Sequence, residues 1–347
     1  MTMLDRQPLT TDERATVAAA TAGDEAAFTT LTRRYRRELH VHCYRMLASF
    51  EDAEDLVQET LLRAWQKRET FQGRASFRAW LYRIATNACL DFLARHRRRA
   101  TEIGLQGDAS PDAAVAPHVA WLQPYPDHLL ELAAPADGGP DAAIVRRETI
   151  ELAFLVAMQF LPPKQRAVLI LRDVLDWSAS ETAALLDASV PAVNAALQRA
   201  RATLRRRKPA RDHHAAAGDV REEERLLLRR YIDATERNDV AALTRLLSHD
   251  ARFTMPPTPM AYAVSETVVR AWVEGGFGAP PFDDFRCIVA GANGMPAVAN
   301  YIRRPGEAHY RPFALDVLRI ERGAIAEITA FDLEGLAGAF AIPESIS

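Results

Sequence analysis

From Arg14 to Arg99 the chain has no proline, and Gly23 and Gly73 are the only glycines in that span. A segment so poor in backbone breakers, and rich in Ala, Leu and Arg, is committed to helices. Its continuation, "ATEIGLQGDASPDAAVAPHVAWLQPYPDHLLELAAPADGGPD", is dense in Pro, Ala, Gly and Asp. That is the composition of a flexible linker, 100–141, although "WLQPYP" offers rings to a partner. Helical periodicity returns over 142–208, interrupted by Pro162-Pro163. A shorter linker, 209–219, leads to a last part, 220–343, where helices precede alternating strand-like runs. A chain of 347 residues has room for two or three domains, and no internal repeat is visible.

The net charge of −3 does not mark the whole chain as a nucleic-acid binder, but its cations are clustered. Arg33, Arg34, Arg36 and Arg37 form one group, Arg95 to Arg99 a second, and Arg199 to Arg211 a third. Cys43, Cys89 and Cys287 lie too far apart for a metal or redox motif, so idle thiols and no metal or cofactor are expected. "IELAFLVAMQFL" is too short for a membrane span and carries Glu151 and Gln159. "MTMLDRQPLTTDER" lacks the blocks of a signal peptide. A cytoplasmic protein with no membrane partner is the expectation.

Aromatic rings and cations alternate through "FQGRASFRAWLYRIATNACLDFLARHRRR", Phe71 to Arg99. At 100° per residue, Phe77, Leu81, Ile84, Ala88 and Phe92 form a stripe to bury. Ser76, Trp80, Arg83 and Asn87 form a neighbouring stripe: a flat ring, a cation and an amide in a row. Such a set suits unstacked nucleic acid, since rings stack on bases, guanidinium groups hold phosphates and amides read base edges. An ordinary amphipathic helix with core aromatics and solvated arginines would show the same letters. Upstream, "DAEDLVQETLLRAW" turns Ala53, Leu56, Val57, Thr60, Leu61, Ala64 and Trp65 to one side. Asp55, Gln58, Glu59 and Leu62 mark the opposite face, fit for docking a basic protein surface.

Together these two stretches resemble region 2 of an extracytoplasmic-function (ECF) sigma factor of the sigma-70 family, over roughly Asp24 to Arg99. The resemblance implies that Asp52, Asp55, Gln58, Glu59 and Leu62 bind core RNA polymerase, at the clamp of its largest subunits. It implies that Phe71, Gln72, Gly73, Arg74 and Ser76, with Trp80, Arg83 and Asn87, hold melted −10 promoter DNA.

"DWSASETAALLDASVPAVNAALQRARATLRRR", Asp176 to Arg207, has helix-turn-helix grammar. Ser178 and Glu181 fit a capping box, and Ala183, Ala184 and Leu185 supply a packing face. "DAS" makes the turn, Ser189 caps the second helix, and Pro191 is tolerated in its first turn. Val193, Leu197, Ala200 and Leu204 form the buried seam. Ala192, Asn194, Ala195, Gln198, Arg199, Arg201 and, one turn on, Arg205 are left outward, as a recognition helix requires. "LPPKQRAVLILRDVLDWS" resembles the first half of region 4 of the same family, which implies contact with duplex −35 DNA and with the polymerase flap. Family members usually have a more polar recognition helix than Ala192, Asn194 and Ala195 provide, so the −35 sequence is not readable here.

Beyond residue 208, Asn293-Gly294 and Arg322-Gly323 sit between apolar runs, as hairpin turns do. Helices followed by an antiparallel meander make an α+β cone. It resembles the SnoaL-like group of the nuclear-transport-factor-2-like superfamily over about Val220 to Pro343. Some members of that group are cyclases or isomerases, so Asp316, His309 and Asp332 are acid/base candidates. "WLQPYPD" and "YRPFALDVLRIERGAIAEITAF" look most like the sigma-G kind among the sigma-G and sigma-J subgroups.

The expected fold is therefore two all-α sigma modules followed by the cone. The expected function is a sigma factor with no enzymatic activity, its cone modulating it in cis and open to a small ligand. The rivals are a bifunctional protein with an isomerase-type cone and a helix-turn-helix regulator that does not replace a sigma factor.

Overall fold

The computed structural model describes residues 11–71, 76–96, 119, 121–133, 150–207 and 219–347. The chain divides into two compact units, one formed by 1–101 with 129–209, the other by 102–128 with 210–347.

In the first unit, helices α1 (Thr11–Thr21), α2 (Glu25–Leu47), α3 (Phe50–Gln66) and α4 (Phe77–Arg95) form a bundle. Their starts follow from local chemistry: Asp24 caps α2 by accepting from Ala27 N at 3.0 Å, and Ser76 caps α4 by accepting from Ala79 N at 3.1 Å. The buried side of α3 is Ala53, Leu56, Val57, Thr60 and Ala64, with Leu61 and Trp65 half-buried, as the periodicity requires. On α4 the stripe is wider than expected. Phe77, Leu81 and Ala88 are buried, but so are Tyr82, Ala85, Thr86 and Cys89, while Ile84 and Phe92 are half-buried. Cys89 reaches Cys43 of α2 through a thiol–thiol hydrogen bond, so these two cysteines meet in the core despite their distance in sequence.

Helices α6 (Leu152–Gln159) and α7 (Pro163–Leu169) follow; α5 (Asp127–Ala133) lies inside the expected linker. A π-helical turn, Ile170–Val174, leads to α8 (Ala179–Leu186) and α9 (Val190–Arg207). Pro162 and Pro163 start α7 rather than break a helix, since its first turn needs no N–H there. The capping box of Ser178 and Glu181 is complete. Val193, Leu197, Ala200 and Leu204 are buried as a seam, whereas Ala184 is exposed because only Thr182, Ala183 and Leu185 of α8 face inward.

Arg166 of α7 joins the two helical modules. Fully buried, it donates to the carbonyl oxygens of Met46, Gln159 and Leu161 and to Gln159 Oε1. Burial pulls its pKa down to about 9, and those acceptors are what keep the cation in place. The rings of Tyr82 and Trp177 also meet between the two modules, at 5.5 Å.

The second unit opens with α10 (Asp219–Glu236) and α11 (Val240–Leu246), packed on a six-stranded sheet. Its strands are β1 (Leu247–Met255), β2 (Thr258–Ala263), β3 (Phe285–Ala292), β4 (Met295–Ile302), β5 (Arg311–Glu321) and β6 (Ala324–Asp332), and α12 (Ser265–Glu274) follows β2. The spatial order is β2-β1-β6-β5-β4-β3. Strands β3 to β6 are the expected meander, turned by Asn293-Gly294 and Arg322-Gly323, all four at positive φ. Three features depart from the sequence reading. "SHD" belongs to β1 rather than to the preceding helix, "TPMAYA" is a strand, and β1 joins β6 in parallel. The long excursion from β1 through α12 and the meander returns the chain alongside β1, which a simple meander does not.

Part of the expected flexible linker is tied to this unit. Tyr125 N donates to Asn293 Oδ1 at 2.8 Å, and Asn293 N donates to the Tyr125 carbonyl at 2.9 Å. Asp127 Oδ1 accepts from Gly294 N at 2.7 Å. A Cβ on Gly291 would lie 2.6 Å from Asp127 Oδ2, so only glycine permits the approach. "YPD" thus caps the β3–β4 turn, and Tyr125 is buried.

Candidate polymerase and promoter interfaces and the cone cavity

On α3, Asp55, Gln58 and Leu62 are exposed, and Leu62 stands out as an apolar side chain 56% exposed. Asp52 and Glu59 are half-buried. Glu59 is held by Arg63 at 2.6 Å, and Arg63 also reaches Asp91 of α4 at 3.3 Å. The five residues named from the sequence therefore form one strip, with its centre open and its lower edge pre-set by an ion pair.

Around the start of α4, Phe71, Phe77 and Trp80 form a ring cluster with centroids 5.5 Å apart in each pair. Phe77 is buried, and it anchors Phe71 and Trp80, which stay half-buried. Arg83 and Asn87 are exposed one and two turns further along. Ser76 Oγ accepts from Ala79 N as the helix cap, at the head of the same strip. Gln72, Gly73 and Arg74 lie outside the described residues.

On α9, Ser189, Ala192, Asn194, Gln198, Arg199, Arg201 and Arg205 are exposed and Ala195 is half-buried. Ser189 Oγ accepts from Ala192 N at 3.3 Å, the cap read from the sequence. Arg201 is bound on two sides by Asp173, at 2.8 and 2.6 Å, a partner the sequence did not reveal. The face is therefore polar and cationic, with one of its arginines already oriented.

In the cone, the acid/base candidates do not converge. His309 and Asp332 are exposed, while Asp316 is buried and lines a cavity of about 440 Å³. Tyr231 of α10 donates to Asp316 Oδ2 at 2.9 Å, and Asn300 Nδ2 donates to the same oxygen at 2.5 Å. Burial pushes the Asp316 carboxyl up to about 6, against the two donors that favour its charge. A bulge between Asn300 and Tyr301 helps aim the amide inward. Tyr231 and Asn300 were not singled out from the sequence, since nothing local marks them. No group of three metal-ligating side chains occurs among the described residues, and none of the described helices is long and apolar enough to cross a membrane.

A helical module with an acidic strip and an aromatic–cationic edge, a helix-turn-helix and an α+β cone together make up the described chain. The family model Sigma-70 region 2 matches residues 31–99, and Sigma-70, region 4 matches residues 151–204. The ECF RNA polymerase sigma factor SigG of Mycobacterium tuberculosis is 42% identical over 339 residues, 95% of this chain and 89% of that protein. SigW of Bacillus subtilis is 29% identical over 186 residues, 53% of this chain and 90% of that one. The crystal structure of Mycobacterium tuberculosis SigJ superposes with a TM-score of 0.58 at 22% identity, covering 91% of this chain and 99% of that one. The chain belongs to the ECF sigma factors of the sigma-70 family. It is a transcription initiation factor, working with RNA polymerase on promoter DNA, and its C-terminal unit is an α+β cone.

Proposed function

We propose that initiation is divided among three surfaces, with the cone modulating the other two in cis from within the cytoplasm. Asp52, Asp55, Gln58, Glu59 and Leu62 dock on the polymerase clamp. Phe71, Trp80, Arg83 and Asn87, with the loop Gln72–Arg74 and Ser76, receive unpaired −10 bases. The outward face of α9 reads the −35 duplex while its module sits at the flap.

The observation that carries modulation in cis is the capping of the β3–β4 turn by Tyr125 and Asp127. The segment that connects the two promoter-reading modules is thereby part of the cone's own hydrogen bonding. A change in the cone that frees or holds Tyr125 and Asp127 would alter the reach between the readers, which sets how they engage two promoter elements at once. The cavity beside Asp316 gives a small ligand a place to act on this.

Run-off transcription with purified core polymerase tests the reading. Full-length protein and a form ending near residue 211 are expected to differ in activity or promoter choice. Identical transcription from both would reject modulation in cis.

A further inference from the structure

The cone cavity has a one-sided chemistry. Its wall is largely aromatic, with Phe253, Trp272, Phe277, Phe285 and Phe313 among its rings. These rings are arranged against one another: Phe253 meets Trp272 edge-on at 5.7 Å, and Phe277 lies at 5.5 Å from Phe285. Walls of this kind accept flat apolar surface and offer edges and faces to a guest ring. The volume, about 440 Å³, is in the range of small-molecule sites.

The polar groups narrow the class. Asp316 accepts both of its hydrogen bonds on Oδ2, from Tyr231 and Asn300, and receives none from the described residues on Oδ1. Asn300 is itself oriented, since its Oδ1 accepts from Cys287 Sγ at 3.3 Å, which turns the amide nitrogen toward Asp316. The carboxylate is thus fixed in position with one oxygen unused beside an apolar space. Among the described residues, the other charged lining residue is Glu274, which is exposed, and no Lys, Arg or His lines the cavity. A phosphate or carboxylate would find no cation there and would meet two negative groups. A donor on an otherwise apolar guest would satisfy the unused oxygen through a charge-assisted hydrogen bond.

We infer that the cone binds a small flat aromatic molecule that carries one hydroxyl or amino donor and no anionic group, with the donor held by Asp316. The Asp316 carboxyl titrates near 6, so at neutral pH it is mainly an acceptor, in keeping with this polarity. Binding as such stands on the cavity alone. Its regulatory use rests on the cis-modulation reading above, and the test below involves no polymerase, so the two fail separately.

Isothermal titration calorimetry on the full chain at pH 7.5 is the experiment, with 2-naphthol, 2-methoxynaphthalene and 2-naphthoate as probes. The first is expected to bind at least about tenfold more tightly than the second, which keeps the rings and lacks the donor. The third is expected to give no heat. Asp316→Asn should reduce the preference for 2-naphthol to within about threefold, because the charged acceptor is gone. Ala314→Trp, which puts a ring into the cavity opposite Asn300, should abolish binding of 2-naphthol and 2-methoxynaphthalene, with circular dichroism confirming the fold of both variants. The inference is overturned if 2-naphthoate binds as well as 2-naphthol, or if none of the probes binds. Binding that survives Ala314→Trp, or a donor preference unchanged in Asp316→Asn, overturns it equally.

Discussion

His42 sits in the middle of α2 with its Nε2 2.9 Å from Thr86 Oγ1, fully buried and held neutral by that burial, its pKa lowered to about 3. Unfolded, the same ring binds a proton near 6.5. The folded form therefore binds fewer protons than the unfolded one between these values, and stability falls as the pH drops through that window. The slope from this residue is about 1.4 kcal/mol per pH unit. Urea melts of the helical unit at pH 7 and pH 5 should show the loss, and His42→Gln should flatten it. Asp316 acts in the opposite sense in the other unit. Its carboxyl is raised to about 6, so the folded cone prefers the protonated acid and loses stability as the pH rises from about 3.8 to 6. Asp316→Asn should remove that fall, read from the cone's own unfolding transition. Neither behaviour was legible in the letters. Strand alternation places Asp316 on one face of β5 but does not say that α10 and the aromatic wall cover that face, and no spacing in the letters says that α2 is buried all round from Leu39 to Leu47.

Helix α9 was largely legible in the sequence, because a capping box and a four–three–four apolar seam leave little freedom for which side is buried. What the spacing could not supply was Asp173, which comes from a π-helical turn and takes Arg201 in a two-point ion pair. Arg199 and Arg205 are exposed on the same helix, and among the described residues no carboxylate pairs with them, a difference that is measurable. Arg199→Ala and Arg205→Ala should each reduce the salt slope of holoenzyme binding to −35 DNA by about 0.9. Arg201→Ala should reduce it less, since that guanidinium is already neutralised by a carboxylate. Equal slopes for all three variants would show that Asp173 yields Arg201 to phosphate. On α3 the corresponding prediction concerns Leu62, which is open to solvent on an otherwise polar strip. Leu62→Glu should weaken capture of core polymerase at least about tenfold while leaving the melting temperature within a degree or two, as exposed substitutions generally do.

At the scale of the whole molecule, the order of modules was legible and their ties were not. Proline-rich composition suggests connecting chain over 100–141, whereas a turn cap made by Tyr125 and Asp127 has no signature in composition. Gly291→Val should break it by placing atoms where Asp127 Oδ2 now lies. Limited proteolysis should then cut within 121–128 faster than in the parent chain, and transcription should move toward that of the truncated form. Protection equal to the parent would mean that the segment is held by other contacts.

Arg166 has a further consequence for how the helical unit can open. Its guanidinium is sealed among three main-chain oxygens and a glutamine, from both helical modules. A seam made of hydrocarbon loses its cohesion outright when water enters, whereas a cation returned to water recovers strong hydration, and so do the oxygens it leaves. Drawing region 4 away from region 2 therefore strands no buried charge, and the clasp can be undone and remade without either module losing its own core.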